Sequence, residues 1–419
     1  MKYLLPFLFI LINFTVFSQC ENDRYREQIF GSVETTFDVQ YGSNINKDGD
    51  QENLFMDIYQ PIGDTEEARA LIVLVHGGSF VGGSKDGDDV IYLAEDWAKM
   101  GYVVASIEYR IGVTINILDP GLPFTEAVLR GYHDAKAAVR FFRKNIQDED
   151  NAYSLDTENI YMAGVSAGGF ITLHNAYMDE LDEIPAFLDQ TQEGLGGGVE
   201  GESGNPGYDS HVAGVVNMCG ALLDTAWIQP GDIPVCNFHG TDDNVVPFDT
   251  DMIYALGFVA VMEVDGSESI DMKADEVGLI NCFEIHEDEG HVPHVDNPAI
   301  YDTTLSISSN FLSHLICPTT IELDCSYREL MVMDIDEEME MDKFFKIWPN
   351  PTTERLYFSS KETKKVHVSI VNSLGIEVNK MTFGPRKLDS FSVKELSSGI
   401  YFITLSSKNK EQKFKIIIQ

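Results

Sequence analysis

The sequence is poor in positive charge. Lysine and arginine together number 29, against 68 aspartates and glutamates, for a formal net charge of −39. Such a surface repels nucleic acid and anionic membranes and makes acidic polymers poor substrates, while keeping a protein in solution. Long apolar runs are also scarce. One extends from Tyr3 to Phe17, behind Lys2 and ahead of the small Ser18, with Pro6 inside it. It is short for a membrane span and has the form of a secretory signal peptide cut near Ser18, so residues 1–18 are expected to be removed on export. A lipoprotein reading at Cys20 meets Gln19, too bulky for the small residue usual before a lipidated cysteine. Nothing later is apolar enough to cross a bilayer. Cysteine is sparse: Cys20, Cys219, Cys236, Cys282, Cys317 and Cys325. None has metal-ligand spacing, and no metal or cofactor is implied. Export permits disulfides. Cys317 and Cys325 are near enough for a local loop, and Cys236 and Cys282 fall in consecutive expected strands, but sequence leaves the connectivity open.

What is present is enough for a large core. Hydrophobic residues make up 44% and aromatics 11% of 419 positions, which excludes a disordered or fibrous chain and leaves room for one small extra domain. The charge changes sign along the chain and so marks a boundary. From Glu322 to Asp342 there are nine acids and one arginine, so 321–343 is expected to be a solvated linker. From Phe344 to Gln419 there are 13 basic and 6 acidic residues, a net of +7, against −47 for the rest of the mature chain. The last segment, 344–419, reads as short strands separated by Gly, Asn, Pro and Ser turns, among them Val366–Val371, Tyr401–Leu405 and Phe414–Ile418. A small antiparallel β-sandwich is expected. Its Trp348-Pro349-Asn350-Pro351, Asn372-Ser373-Leu374-Gly375, Leu396–Tyr401 and Lys415–Gln419 motifs resemble the C-terminal sorting domain of the type IX secretion system. The resemblance implies engagement of secretion machinery and a secreted or cell-surface protein. A carbohydrate-binding module is the alternative, but its sheet face would want more than the one tryptophan found here, Trp348.

Residues 19–320 alternate strand and helix signals. Leu71–Val75 and Tyr102–Ile107 are continuous apolar runs, as in strands buried on both faces of a parallel sheet. Phe124 to Ile146 has helical apolar spacing, and further strands are expected at 160–163, 212–217, 235–238 and 281–285. Repeated βα units of this kind build an α/β, doubly wound, mostly parallel sheet. Asn46–Asp50 has the look of a calcium loop but lacks the closing glutamate, Phe55 standing there, so a hairpin turn is expected.

Gly164-Val165-Ser166-Ala167-Gly168 lies between an expected strand and an expected helix, the setting in which Ser166 would project from the sheet edge as a nucleophile. An ester intermediate needs N–H donors aimed at its oxyanion. Ala167 at the helix start can give one, and His76-Gly77-Gly78-Ser79-Phe80, leaving the strand at Val75, can give others. Gly78 and Ser79 are the expected donors, with Gly77 a weaker candidate and His76 a brace for the loop. His239-Gly240-Thr241-Asp242-Asp243 follows the strand at 235–238, and Asp288-Glu289-Gly290-His291 follows the one at 281–285. A serine, an acid and a histidine in that order suit a hydrolase triad. His294 is the alternative base, and His286 sits inside or beside its strand.

These motifs resemble the carboxylesterase branch of the α/β-hydrolases that includes feruloyl and acetylxylan esterases, over roughly residues 30–320. Ser79 departs from a pattern in which a third glycine is common. The resemblance selects Asp243 over its neighbour Asp242 as the triad acid. Glu108-Tyr109-Arg110 fits the same branch. It also implies a mobile cap at the glycine-rich insertion Tyr177–His211 and an acyl pocket to which Phe80 and Trp227 could contribute. Ester hydrolysis through an acyl-enzyme is therefore expected, with a small-molecule or polysaccharide-linked ester as substrate. A serine peptidase of this fold would usually carry a large N-terminal propeller, and a non-catalytic surface protein would have no need of all these residues.

Overall fold

The computed structural model describes Cys20 and residues 23–113, 119–255, 258–330, 345–348, 352, 355–372, 376–394, 396–408 and 410–418. The expected signal peptide and most of the acidic linker lie outside them. The chain divides into two compact units, 1–333 and 334–419.

In the first unit the elements are β1 (Val33–Ile45), β2 (Gln51–Pro61), β3 (Arg69–Val75), α1 (Ile91–Lys99), β4 (Val103–Ile107), α2 (Gly121–Asp148), β5 (Leu155–Val165), α3 (Ala167–Tyr177), β6 (Val215–Met218), β7 (Val235–Gly240), β8 (Thr250–Ala255), β9 (Val259–Asp265), α4 (Ser267–Val277), β10 (Asn281–His286) and α5 (Pro298–Ile316). Eight strands form one sheet in the order β1-β2-β4-β3-β5-β6-β7-β10. β1, β2 and β4 pair antiparallel, and from β4 onward every pairing is parallel.

β3 shows why these runs become central strands. All seven of its residues are buried. Leu71, Val73 and Val75 face one core with α2 and α3, while Ala70, Ile72 and Leu74 face another with α1 and α5. Period-two alternation of apolar side chains on both faces is what a sheet covered by helices on either side requires. Asn46 shapes the β1–β2 turn: its side chain accepts the N–H of Asp48 and of Asp50, so this segment is the expected hairpin.

Two features depart from the sequence reading. Glycine-rich 177–211 is bound along α2 and onto β1 instead of standing free as a cap. His133 meets the Gly198 carbonyl, Arg140 the carbonyls of Glu200 and Gly204, and the Ser203 carbonyl accepts the Ser43 N–H. The second is the β8–β9 hairpin, absent from the expected elements. It rises beyond β7, pairs Asp265 with Leu222, and lays Met262 on Thr125 near the start of α2. The disulfides also differ from the spacings noted in the sequence: Cys20 joins Cys317 and Cys282 joins Cys325, with Cys219 and Cys236 free and buried. Cys20 is thus tied to the end of α5.

The second unit is the small antiparallel β-sandwich: β11 (Phe345–Trp348), β12 (Arg355–Asn372), β13 (Glu377–Ser392), β14 (Gly399–Ser407) and β15 (Lys410–Ile418). β12 shifts register against β13 between Ser359 and Val366, and the strands enclose Phe358, Val368, Ile370, Ile403, Leu405 and Ile416.

Candidate active site

The C-terminal ends of β3, β5, β7 and β10 deliver the chemistry-bearing loops to one edge of the sheet, where open α/β sheets bind ligands. Ser166 is the junction between β5 and α3, at φ 53° and ψ −114°. No L-residue adopts that backbone without cost, and the surroundings enforce it. The Ser166 N–H is held by the Met218 carbonyl on β6, and its carbonyl accepts the Phe170 N–H. Gly164 and Gly168 are obligatory: a Cβ on the first would collide with the Gly168 carbonyl, and on the second with the Val75 carbonyl.

Ser166 Oγ lies 2.8 Å from His291 Nε2, and His291 Nδ1 lies 2.6 Å from Asp243 Oδ2. The structure therefore brings Ser166, His291 and Asp243 into one hydrogen-bonded line. It does not bring the alternatives. Asp242 is exposed, its N–H spent on the Glu289 carbonyl. His294 is buried against the Asp89 backbone and His286 stacks on Phe238, and burial pushes both imidazoles down to about 4. Burial alone would raise the Asp243 carboxyl. Hydrogen bonds from His239 and His291, the His291 charge and the Val245 N–H outweigh it and hold the group well below the usual carboxylate range. Its Oδ1 accepts from both Val245 and Val246 N–H.

The loop after β3 packs against Ser166, with Gly77 so close that a Cβ there would be 3.3 Å from Ser166 Cβ. The Gly77 N–H is taken by Asp89 Oδ2 at 2.7 Å. The N–H groups of the exposed Gly78 and Ser79, and that of Ala167, have no acceptor among the described residues. His76 is wholly buried beneath the loop, its ring 4.4 Å from Tyr109 and its Nδ1 2.6 Å from the Gly77 carbonyl. Phe80 is 1% exposed and enclosed by Tyr109, Phe124 and Phe170. The structure thus places the Phe80 ring in the core, where it supports the loop from below. Trp227 is half-buried, edge-on to His174 of α3.

Two residues escaped the sequence reading. Asp89, twelve positions beyond Gly77 and in no motif, ties the loop after β3 to the His294 segment. His239 opened a recognised motif, yet only the fold shows that it faces Asp243. Cys219, His239 and Asp243 place one potential ligand atom each within 4.8 Å of the others. The imidazole and carboxylate there are already spent on hydrogen bonds.

Residues 56–222 match the BD-FAE family model, and residues 346–419 match that of the secretion system C-terminal sorting domain. The first unit has the α/β-hydrolase fold, and the second carries a secretion sorting domain. That domain marks the chain for secretion or cell-surface attachment, and no helix among the described residues is long and apolar enough to cross a membrane. The hydrolase unit is similar to several solved esterases. A truncated carbohydrate esterase from gut microbiota shares 18% identity, with 69% of this chain and 98% of that one covered, at a TM-score of 0.45. A thermophilic esterase of Thermogutta terrifontis, solved with propionate, shares 20%, with 68% and 95% covered, at a TM-score of 0.45. Juvenile hormone esterase of Tribolium castaneum is 25% identical over 153 residues, which span 35% of this chain and 24% of that protein. The hydrolase thus matches about a quarter of the length of that curated relative.

Proposed function

We propose that this protein is a secreted serine carboxylic ester hydrolase acting through an acyl-enzyme on short-chain, aryl or sugar esters, feruloyl or acetyl groups of polysaccharides among them. The observation that carries the proposal is the line Ser166 Oγ–His291 Nε2–Asp243 at 2.8 and 2.6 Å. His291 Nε2 takes the Ser166 proton as Oγ attacks the ester carbonyl, and Asp243 stabilises the imidazolium that forms. The oxyanion is met by the free N–H groups of Gly78, Ser79 and Ala167, each donor worth about 3 kcal/mol in the transition state. His291 then gives its proton to the departing alkoxide, releasing the alcohol. A water deprotonated by the same nitrogen attacks the acyl-Ser166 carbonyl, and His291 returns that proton to the departing Ser166 Oγ as the carboxylic acid is released. Trp227 is the aromatic retained as a candidate substrate contact.

The full-length chain should hydrolyse p-nitrophenyl acetate or butyrate, and Ser166→Ala should abolish turnover. Wild-type rates no higher than those of Ser166→Ala over several acyl lengths would sink the proposal. Feruloyl, acetyl-sugar and simple aryl esters sort the substrate class, and a chromogenic dipeptide separates an esterase from a peptidase.

A further inference from the structure

Asp243 answers to a second histidine. His239, near the end of β7 and wholly buried, places Nε2 3.2 Å from Asp243 Oδ2 and 3.2 Å from the Val246 carbonyl. Both partners only accept, so Nε2 carries the proton. Its Nδ1 lies 2.8 Å from Ser267 Oγ, at the first turn of α4. Ser267 Oγ in turn accepts from Asn217 Nδ2 at 3.1 Å, which leaves the hydroxyl proton for Nδ1. The Asn217 amide is itself oriented. Its Oδ1 accepts the Gly220 N–H at 3.0 Å, and its Nδ2 also donates to Asn237 Oδ1 at 3.0 Å. Gly220 lies directly against Gly169 of α3, three residues beyond Ser166. Asn217, Asn237, His239 and Ser267 are all 0% exposed, so water cannot substitute for a missing partner.

The donors of Asn217, Ser267 and His239 therefore each have a fixed direction, from the loop beside the nucleophile to the triad acid. We propose that His239 is a positioning residue that fixes the orientation and charge of Asp243, its own tautomer being fixed by Ser267 and Asn217. The inference rests on the triad assignment above and adds a residue to its support. Asp243 Oδ2 is shared between His239 and His291. With the His239 donor gone, the whole basicity of that oxygen would fall on His291, its imidazolium would be stabilised, and its titration would move to higher pH.

The groups that face this pair are few. Cys219, after β6, stays a thiol because burial and then the Asp243 charge push it up to about 12. His286 and His294, on the His291 side, stay neutral because burial holds them near 4. The acids Asp242 and Glu289 sit on the flanking loops, the first exposed.

The test is an NMR titration of the His291 ring in the full-length chain carrying 13C-labelled histidine, the resonance assigned with His291→Asn. His239→Phe should raise the His291 midpoint by about 0.5 unit or more. His239→Gln, whose amide N–H takes the place of Nε2–H, should hold it within about 0.2 unit. Ser267→Ala should move it in the direction of His239→Phe by a smaller step. The acid limb of kcat/KM should follow the same order. Equal midpoints in His239→Phe and His239→Gln would reduce His239 to packing and overturn the inference. Where His239→Phe fails to fold, an unmoved midpoint in Ser267→Ala overturns it. The titration needs no turnover, so absent esterase activity would refute the triad's proposed role without touching this measurement.

Discussion

Ser79 has φ 54° and Phe80 after it 59°, and the same left-handed region holds Ser166, Cys219 and Val292. All five lie at or beside Ser166 and in the loops around it, and for a β-branched residue such as Val292 this conformation is an outlier. Five of the fourteen described non-glycine residues at positive φ thus fall around Ser166, and the fold holds that strain against local preference. At Ser79 it has a direct consequence. A side chain in the left-handed region costs about 1–2 kcal/mol that glycine does not. If the Ser79 N–H is an oxyanion donor, only the backbone matters. Ser79→Gly should then keep kcat/KM within about threefold, whereas Ser79→Val, which resists this φ, should lose about tenfold or more. Ester hydrolysis by the two variants, with thermal melts to show that each is folded, checks the prediction. Equal activity in both would mean that the loop backbone does not act on the reaction.

At the scale of elements, the glycine-rich insertion is pinned by one buried ion pair. Arg110, just beyond β4, and Asp134 of α2 are both 0% exposed, with Nη2 2.8 Å from Oδ1. The remaining guanidinium hydrogens reach the Ile45, Gly194 and Arg130 carbonyls, and Ser203 Oγ donates to the same carboxylate. Strand, helix and insertion thus share one charge pair with every nitrogen of the guanidinium engaged. Asp134→Ala leaves the guanidinium buried and unpaired, and should cost about 3–5 kcal/mol of stability. Urea unfolding measures it, and a loss below about 1 kcal/mol would show that the insertion is held by its apolar contacts instead. Sequence carried the Glu108-Tyr109-Arg110 motif without Arg110's partner, because Asp134 sits inside an α2 pattern that reads simply as helix. β3 and β4 were legible since burial on both faces writes an unbroken apolar run. β9 was not: Val259–Asp265 is mostly half-exposed and mixes valines with acids, so neither period emerges. The serine, acid and histidine were legible because each follows a strand end within a local motif. Asp89 and the Cys20–Cys317 pairing, 297 residues apart, depend on approaches that only the finished fold creates.

At the scale of the molecule, acid stability is set by groups inside, despite a surface dominated by carboxylates. His133, His174 and His294 are enclosed, and burial holds each near 4. In the unfolded chain they titrate near 6.5, so below that pH the unfolded state binds the extra protons and the folded state is disfavoured. The stability they contribute is whole above about pH 6.5 and drains as pH falls towards 4, at about 1.4 kcal/mol per unit for each, or about 4 for the three. The carboxylates pull the other way, since neutralising them relieves repulsion within the hydrolase unit. Most of them titrate near 4, however, and so act little between pH 6.5 and 5. Glu95, which burial pushes up to about 7, takes up its proton on the folded chain first and also opposes the imidazoles over this range. His286, held near 4 like them, adds to their side, so the net remains about that of three imidazoles. Asp243, held low, adds its loss only below about pH 4. The melting temperature of the hydrolase unit should therefore fall by on the order of 10 °C from pH 7 to pH 5. His174→Phe, which removes one of the three and keeps a ring beside Trp227, should flatten that slope by about a third. A melting temperature that holds steady from pH 7 to pH 5 would mean that the exposed acids, not the buried imidazoles, govern how this protein meets acid.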